Sequence, residues 1–280
     1  MTRGTALVRA VSPRLADGIV THIERTDVDV ALARSQHAAY VDALAGCGWQ
    51  PVFVPPADGS PDSVFVEDTV VVCDGHAVLT RPGAPSRRAE VDAVESVVRG
   101  LGLAVARIQP PGCLDGGDVL QVGRTVYVGR GGRTDDEGIR QLAALLAPLG
   151  RTVVAVPVTG VLHLKSVVTA LPDGTCLAWN PDAAAIPEVT RVPEPTGSFV
   201  VLLGGSDVLI AASAPRTAGF LTSLGYRPVA VDIGEFERLE GCVTCLSVLV
   251  RSPRVRPPGR WPPADPSDPA SPRTRPSGLR

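Results

Sequence analysis

The first group of residues with potential chemistry is a cluster of carboxylates inside an apolar stretch. Residues 61–68 read PDSVFVED and place Asp62, Glu67 and Asp68 within seven residues. Strand alternation would send the last two to opposite faces, so at least one of them should point into the protein. A buried carboxylate is costly unless it meets a cation or hydrogen-bond donors. The pattern therefore indicates either a turn that caps its own backbone or part of a cation-binding cleft.

A second acidic cluster, LDGGDV at residues 114–119, sets Asp115 and Asp118 beside two glycines. Each cluster taken alone fits a turn as well as a binding site. Both stand at the start of an apolar hairpin, however, and two equivalent hairpins that begin with carboxylates favour a shared cleft for a cation.

A histidine stands at the start of another hairpin, in the stretch VLHLKS at residues 161–166. Between two leucines, His163 is compatible with a structural role in the core. Its position at a hairpin start, equivalent to those of the acidic clusters, favours general acid/base catalysis instead.

Cys242 and Cys245 form a Cys-x-x-Cys motif immediately before the last apolar strand. The motif alone would suit half of a zinc site or a redox pair. No second cysteine pair or neighbouring histidine completes a zinc site, and the motif opens a strand rather than a thioredoxin-type helix. A cysteine that faces a histidine and several carboxylates favours a nucleophile, with a buried structural cysteine as the alternative.

Arginines lie in two loops that precede predicted helices, in RPGAPSRR at residues 81–88 and at Arg133. Such arginines commonly provide surface charge, but they could also bind a carboxylate through two parallel hydrogen bonds. Carboxylates for one end of a ligand and arginines for the other predict a zwitterionic substrate with a cationic head.

These residues are carried by a unit that repeats about five times at a spacing of roughly 50 residues. Each unit opens with an apolar hairpin, and the hairpins span Val64–Leu79, Asp118–Val128, Ser166–Ala178, Phe199–Ala212, and Thr244–Val250 together with the chain start. Radial repetition predicts an α/β, propeller-like single domain in which each hairpin delivers polar side chains to a central cleft. No glycine-rich phosphate loop precedes a helix, which disfavours a dinucleotide-binding fold.

The hairpins are followed by helices and then by short buried strands. Helical periodicity predicts helices over Ala31–Ala45, Arg87–Arg99, Asp135–Leu149 and Pro215–Leu224, each directly followed by a glycine. The predicted strands are Pro51–Val54, Leu103–Ile108, Thr152–Val156 and Pro228–Val231.

The composition excludes several classes of protein. The 280 residues are 44% hydrophobic and 20% charged, which supplies enough apolar surface for a folded core. A formal net charge of −2 gives no reason to expect nucleic-acid binding, and no apolar run is long enough to cross a membrane. With no apolar leader segment and six sparse cysteines that are best taken as reduced, we expect a cytoplasmic protein.

The composition changes sharply near residue 251. Residues 251–280 contain nine prolines, seven arginines and two aspartates, with almost no aliphatic side chains. Such a segment buries too little surface to order itself. We therefore predict a catalytic domain over 1–250 and a disordered Pro/Arg-rich tail over 251–280.

Taken together, the motifs closely resemble those of the dimethylarginine dimethylaminohydrolase family, in the guanidine-modifying (pentein) superfamily. The matching stretches keep their order and spacing across residues 15–250: PDSVFVED (61–68), RPGAPSRR (81–88), LDGGDV (114–119), RT (133–134), LHLKS (162–166), PRT (215–217) and TCLSV (244–248). The resemblance implies a five-bladed α/β propeller, in agreement with the repeat.

The resemblance also implies three catalytic residues. Cys245 would be the nucleophile, His163 the general acid/base, and Asp115 the acidic residue near the histidine and the substrate. The implied reaction is hydrolysis of an N-methylated L-arginine to L-citrulline and a methylamine, through an S-alkylthiouronium intermediate on the cysteine. No metal or organic cofactor is implied.

Seven further residues would contact the substrate through acidic side chains, arginines or backbone groups. They are Asp62, Glu67 and Asp68 around the guanidinium, Arg87 and Arg133 on the α-carboxylate, Ile19 through the backbone of a mobile lid, and Leu239 through its carbonyl group on the α-amino group.

The sequence departs from the family pattern beside the cleft. Glu240 stands where an aspartate before glycine is usual, and Gly197-Ser198 replaces the expected Asn-Cys. These departures bear on the fit of the substrate rather than on the chemistry.

Other activities are compatible with the same residues. The chain could be an arginine deiminase-like hydrolase or an amidinotransferase on the same scaffold, or a non-catalytic zinc-binding protein that uses the cysteine pair. We expect a monomer or a homodimer whose partner is a small-molecule methylated arginine.

Overall fold

The computed structural model describes residues 3–183 and 185–251, which form five three-stranded sheets. In every sheet, an antiparallel strand pair is extended by a third strand that runs parallel to its neighbour. The predicted single-domain α/β propeller of five repeated units is therefore confirmed.

The strands are short, and four of the five sheets each contain three strands that are consecutive along the chain. They are β1 Gly4–Arg9, β2 Trp49–Val54, β3 Val70–Cys73, β4 His76–Leu79, β5 Ala104–Arg107, β6 Val119–Val122, β7 Thr125–Arg130, β8 Thr152–Pro157, β9 Val168–Ala170, β10 Cys176–Ala178, β11 Val189–Arg191, β12 Val200–Gly204, β13 Asp207–Ala211, β14 Arg227–Val231 and β15 Val248–Arg251. The sheets are β15-β1-β2, β3-β4-β5, β6-β7-β8, β9-β10-β11 and β12-β13-β14.

The first sheet joins the two ends of the described chain. β1 pairs antiparallel with β15, which sets Leu7 opposite Val248, and it pairs parallel with β2. This confirms that the last apolar segment pairs with the chain start. Because no single stretch of chain supplies this sheet, its formation holds the two ends together.

The helices pack beside the sheets. They are α1 Val30–Gly46, α2 Glu90–Gly100, α3 Asp136–Leu146, α4 Pro215–Ser223 and the short α5 Gly234–Glu237. The carboxylates of Asp29 and Asp135 accept backbone N–H groups at the starts of α1 and α3, where unpaired donors favour such caps.

The four predicted helices are confirmed, with one shifted start that affects the site. α2 begins at Glu90, because Pro85–Arg87 form a separate 3-10 turn. This turn places the Arg87 side chain in the interior, where it is 4% exposed. The end of the third predicted helix, Ala147–Leu149, is likewise a 3-10 turn that contains Pro148.

The apolar core is divided among neighbouring sheets and helices. One cluster packs Leu44 of α1 and Phe236 of α5 against β1. Another packs Leu142 of α3 between residues of β4 and β7, such as Val78 and Val126. Each hairpin is therefore held by the core on both sides, so its first residues are fixed in space.

Those first residues converge. The 3-10 turns Val66–Thr69, Gly116–Asp118, Leu164–Ser166 and Pro195–Ser198 each precede the first strand of a hairpin. The N–H of Glu67 in the first turn donates to the carbonyl group of Cys245, before β15, over 3.2 Å. The acidic, histidine and cysteine motifs are therefore neighbours in space although far apart in sequence.

Two sequence expectations concern the chain as a whole. No helix in residues 3–183 and 185–251 is long and apolar enough to span a membrane. The predicted Pro/Arg-rich tail lies outside the described residues, apart from Arg251.

Candidate active site

A buried cluster of ion pairs forms the floor of the central cavity, which is lined by Arg87, His163 and Cys245 among others. Arg87 donates through Nη1 to Asp68 over 2.5 Å and through Nη2 to Glu90 over 2.9 Å. It also donates to the carbonyl groups of Asp62 and Phe65 over 3.2 and 3.0 Å. A guanidinium has five N–H groups. With the contact of Nε to Glu90 included, one N–H group on Nη1 has no partner among the described residues.

His163 extends this cluster by another charge. Its Nε2 lies 2.9 Å from Oδ2 of Asp115 and 3.9 Å from Oδ1 of Asp68. Burial alone would lower the pKa of His163, but the charge of Asp68, the hydrogen bond to Asp115 and the charge of Asp118 outweigh it and raise the pKa from 6.5 to about 9. At neutral pH the imidazole is therefore a cation.

Asp68 is the carboxylate that links both cations. Burial would raise its pKa, but the charges of His163 and Arg87 lower it to about 2. Asp68 also accepts the N–H of Gly117 over 2.9 Å. The carboxylate consequently stays ionised across the pH range in which proteins are stable.

The paired glycines in LDGGDV allow this close approach. A Cβ on Gly116 would lie 2.0 Å from the carbonyl oxygen of Glu67, and a Cβ on Gly117 would lie 2.6 Å from Nδ1 of His163. Any side chain at either position would separate the two acidic turns or displace the histidine. The glycines therefore serve packing at the site as well as turn geometry.

Asp118 braces the histidine segment from behind. Its side chain accepts the N–H of Leu164 over 2.8 Å and the hydroxyl of Thr134 over 2.6 Å. Burial raises the pKa of Asp118 to about 6, although the charge of His163 and both hydrogen bonds oppose this shift. Asp118 thus fixes the backbone beside His163.

Glu67 pairs with Lys165, the single lysine of the chain, over 2.5 Å. Its other oxygen accepts the hydroxyl of Thr244 over 2.8 Å. Both charged residues line a second cavity of about 220 Å³ rather than the one that holds His163 and Cys245. The structure therefore does not place Glu67 with the other acidic residues that line the predicted guanidinium site.

Cys245 is partly exposed at the wall of the central cavity, and its neighbour Cys242 is buried. The hydrogen bond with Cys242, burial, and the negative charges of Glu67 and Asp68 raise the pKa of Cys245 above its usual value. The cysteine is a neutral thiol in the empty cavity at neutral pH. A cation placed beside it would oppose these effects and favour the thiolate.

A segment before α1 covers the cavity. The N–H of Ile19 donates to Asp62 over 2.9 Å. The carboxylate of Glu240 accepts the N–H groups of Thr21 and His22 over 2.6 and 2.8 Å. With this lid in place the cavity holds about 20 Å³, room for one or two water molecules. A ligand the size of an amino acid needs more space than this, and movement of the lid would provide it.

Most residues proposed from the sequence surround this one cavity. Its lining includes Ile19, Asp62, Asp68, Arg87, Arg133, His163, Leu239 and Cys245. Asp115 is fully buried behind His163. Arg133 lies 3.9 Å from Asp115 and has fewer internal contacts than Arg87, so it is the arginine more available to a ligand.

Sequence reasoning missed two members of the ion cluster. Glu90, 1% exposed, lies three residues after Arg87 and was assigned only to a helix. Arg9, fully buried on β1, donates to the carbonyl group of Glu90 over 2.9 Å. The spacing between Arg87 and Glu90 was a usable signal, whereas nothing near Arg9 in the sequence pointed to the site.

Three of these groups also satisfy the distances of a metal site. One ligand atom each from Asp68, Asp115 and His163 lies within 4.8 Å of the others. A metal ion would have to displace the His163–Asp115 contact and compete with the Arg87 charge on Asp68. The contacts are those of an ion-pair network.

Comparisons with known proteins agree with this geometry. No protein-family model matches the chain. A curated N(G),N(G)-dimethylarginine dimethylaminohydrolase from Streptomyces coelicolor is 60% identical over 249 residues, which cover 88% of this chain and 96% of the relative. An enzyme of the same name from Pseudomonas aeruginosa is 35% identical and covers 86% and 97% of the two chains.

Solved structures give the same result. The Pseudomonas aeruginosa enzyme, in a cysteine-to-serine variant complexed with citrulline, has a TM-score of 0.83 at 33% identity and covers 89% of this chain and 100% of its own. The N-terminal domain of ArgZ, a cyanobacterial arginine dihydrolase, has a TM-score of 0.74 at 19% identity and covers 89% and 98%. The second likeness shows a shared fold only.

Replacing Arg87 by methionine tests the ion cluster. We expect Arg87→Met to lower the free energy of unfolding by about 3–5 kcal/mol, because it removes the cation that pairs with buried Glu90 and one of the two cations beside buried Asp68. Chemical denaturation at neutral pH measures the change. The matched control is Arg99→Met, which removes an exposed pair with Glu95 and should cost less than about 1 kcal/mol. Equal losses for the two variants would show that Arg87 does not support the cluster.

The lid contact of Glu240 makes a separate prediction. Glu240→Gln removes the charge and one acceptor, so amide hydrogen exchange over residues 18–25 should accelerate by roughly tenfold, as loss of about 1.5 kcal/mol implies. Glu237→Gln, which removes a nearby carboxylate that accepts the Ser213 hydroxyl, should leave this exchange unchanged. Unchanged exchange in Glu240→Gln would mean that the carboxylate does not hold the lid.

Proposed function

This chain belongs to the dimethylarginine dimethylaminohydrolase family, and on this premise we propose which of its residues perform the reaction. The reaction is hydrolysis of dimethylarginine to citrulline and a methylamine through a covalent cysteine intermediate. We assign the nucleophile to Cys245 and proton transfer to His163. The observation that carries this assignment is that both residues line one lidded cavity, with acidic residues beside them.

Two structures of relatives support a cysteine and a histidine as the reacting pair. One enzyme binds citrulline when a cysteine is replaced by serine. Another structure holds an adduct with S-methyl-L-thiocitrulline in a variant with glycine in place of histidine. In this chain, Cys245 and His163 are the cysteine and histidine that line the central cavity.

The acidic residues bind the cationic head of the substrate in our proposal. Asp62 and Asp68 line the cavity. Asp68 already carries a negative charge because its pKa is near 2. Since the guanidinium carbon shares its positive charge over three nitrogens, it is a poor electrophile and must be held planar in front of the sulfur. Glu67 acts less directly, through its contact with Thr244 beside the nucleophile.

Substrate binding also activates the nucleophile. In the empty cavity, the neighbouring carboxylates keep Cys245 as a thiol. The incoming guanidinium offsets their charge, which favours the thiolate next to the carbon that it attacks. This arrangement restricts the reactive thiolate to the occupied site.

His163 supplies and removes the proton at the two stages. The Cys245 thiolate attacks the guanidinium carbon, the bond to the methylated nitrogen breaks, and the His163 cation protonates the departing amine. The neutral histidine then takes one proton from water, and the resulting hydroxide attacks the thiouronium carbon. Citrulline is released as the carbon–sulfur bond breaks, and the second proton of the water returns to the Cys245 sulfur, which replaces the proton lost to solvent when the thiolate formed. Asp115 positions the imidazole and stabilises its charged form.

The remaining contacts orient the amino-acid end of the substrate. Arg133 is the stronger candidate for the α-carboxylate, and Arg87 has one free N–H group to contribute. Ile19 and Leu239 line the same cavity and offer backbone groups. These polar contacts at both ends select a zwitterion with a cationic head.

The chemistry also bears on where the enzyme works. All six cysteines are free thiols, which a reducing compartment maintains. We place the protein in the cytoplasm on this ground, as a monomer or homodimer with a soluble substrate.

A citrulline assay on nucleophile variants tests the proposal. Cys245→Ser should reduce citrulline formation from asymmetric dimethylarginine by roughly a thousandfold or more, because a serine hydroxyl is a far weaker nucleophile. Cys113→Ser, the control at a partly exposed thiol outside the cavity, should retain activity. Substantial citrulline formation by Cys245→Ser would reject the assignment.

Arginine, assayed in parallel, should be a poor substrate, and preference for it would favour a deiminase.

A comparison of two leaving groups shows whether His163 transfers a proton or only helps to bind the substrate. His163→Ala should lose roughly 100-fold or more in turnover of dimethylarginine, whose amine needs a proton to depart. A single turnover with S-methyl-L-thiocitrulline should still release methanethiol, because a thiol leaves more readily. Equal loss with both substrates would mean that His163 does not protonate the leaving group.

A further inference from the structure

The two sulfurs beside the cavity lie close enough for a bond. Sγ of Cys242 and Sγ of Cys245 are 3.3 Å apart. The N–H of Cys245 donates to the carbonyl group of Cys242 over 3.1 Å, which closes a turn in which the two Cα atoms lie within about 7 Å. A disulfide requires Cα atoms about 4.4–6.8 Å apart and sulfurs about 2.05 Å apart. Small side-chain rotations therefore suffice to join them.

Both sulfurs can be reached by a small oxidant. Cys245 is partly exposed in the central cavity. Cys242 is buried and lines another cavity, of about 240 Å³, whose wall includes His22 and Ile23 of the lid. The cysteine pair thus separates two cavities, and neither sulfur is sealed within the apolar core.

Neighbouring side chains fix the position of the Cys242 sulfur beside Cys245. Cys242 Sγ lies 3.3 Å from the hydroxyl of Thr244, whose own proton is donated to Glu67. The contacts with Thr244 and with Sγ of Cys245 therefore hold the Cys242 sulfur in place for attack on an oxidised Cys245.

We propose that Cys242 and Cys245 form a reversible disulfide under peroxide, so that the nucleophile carries its own redox switch. Peroxide oxidises Cys245, through the small thiolate fraction in equilibrium with its thiol, to a sulfenic acid and is itself reduced to water or an alcohol. The Cys242 sulfur then attacks the sulfenic sulfur, the sulfur–sulfur bond forms, and hydroxide leaves with the thiol proton as water. A dithiol reductant reverses the sequence by thiol–disulfide exchange.

The disulfide occupies the sulfur that must attack the substrate, so oxidised enzyme is inactive. This consequence rests on the proposed role of Cys245. The pairing also limits damage, because a sulfenic acid that becomes a disulfide is not oxidised further to the irreversible sulfinic acid. Cys242 therefore makes the loss of activity recoverable.

The experiment is a peroxide titration of the full-length chain, read by intact mass, peptide mapping and citrulline formation. We expect a loss of about 2 Da, a crosslinked peptide containing Cys242 and Cys245, and recovery of most activity with dithiothreitol. In Cys242→Ser the crosslink should be absent, the mass should rise by about 32 Da at Cys245, and activity should not return. Each variant is compared with its own untreated sample.

A matched variant and the mass readout make the outcomes decisive. Cys113→Ser, which removes a partly exposed thiol elsewhere, should behave like the parent chain. Sulfinic acid on Cys245 of the parent chain, or a crosslink to another cysteine, would overturn the proposal. The crosslink is detected without any activity. Its presence with unchanged citrulline formation would therefore reject Cys245 as the nucleophile, while its absence in an active enzyme would reject only the switch.

Discussion

The structure depends on the neutralisation of buried carboxylates by cations held at fixed distances. Asp68, Glu90 and Asp115 are nearly or completely buried, and each would be costly without a partner. Arg87 joins the first two, and His163 joins Asp68 to Asp115. Removing one member leaves the others unpaired, so the cluster acts as a unit.

The propeller supplies the positions that this cluster needs. Its acidic, basic and cysteine motifs are far apart in sequence, and the contact of Glu67 with Thr244 joins residues 177 positions apart. The acidic, histidine and cysteine motifs precede the first strand of a hairpin, whereas Arg87 and Arg133 lie in the loops before α2 and α3. The hairpins are fixed by cores on either side. The same contacts that place the reacting groups therefore hold neighbouring units together, which is why the site lies at the centre of the fold.

The charge balance also explains how the site is switched on. The cations on the floor are matched to the carboxylates below the cavity, whereas the negative charges of Glu67 and Asp68 raise the pKa of the Cys245 thiol. The positive charge of the substrate guanidinium opposes that effect. The proton on His163 has two functions. Its charge balances the carboxylates of the ion cluster, and the proton itself is transferred to the leaving amine.

Much of this arrangement followed from the sequence, and the remainder did not for identifiable reasons. The repeat predicted the hairpins, helices and closing strand pair, because hydrophobic periodicity reports which face each element buries. The family motifs in the sequence contain most of the residues that line the central cavity. The pairing of Glu67 with Lys165 was missed, because a contact between residues 98 apart depends on the relative placement of two hairpins. Arg9 was missed for the same reason.

The ionisation of His163 is linked to folding. Its pKa is about 9 in the folded chain, above the ordinary value of 6.5, so the folded state binds a proton more tightly than the unfolded state. This stabilisation is fully present below about pH 6.5 and is lost as the pH rises through about 9. His163 can donate the catalytic proton only while its imidazole is charged, so this function is also lost as the pH rises through about 9.

The most direct measurement is an NMR titration of the His163 imidazole in the ligand-free enzyme, assigned by comparison with His163→Ala. The ion cluster predicts a midpoint near pH 9, because the surrounding carboxylates outweigh the effect of burial. A midpoint at or below 6.5 would show that burial dominates, and it would contradict a charged histidine held by Asp68 and Asp115.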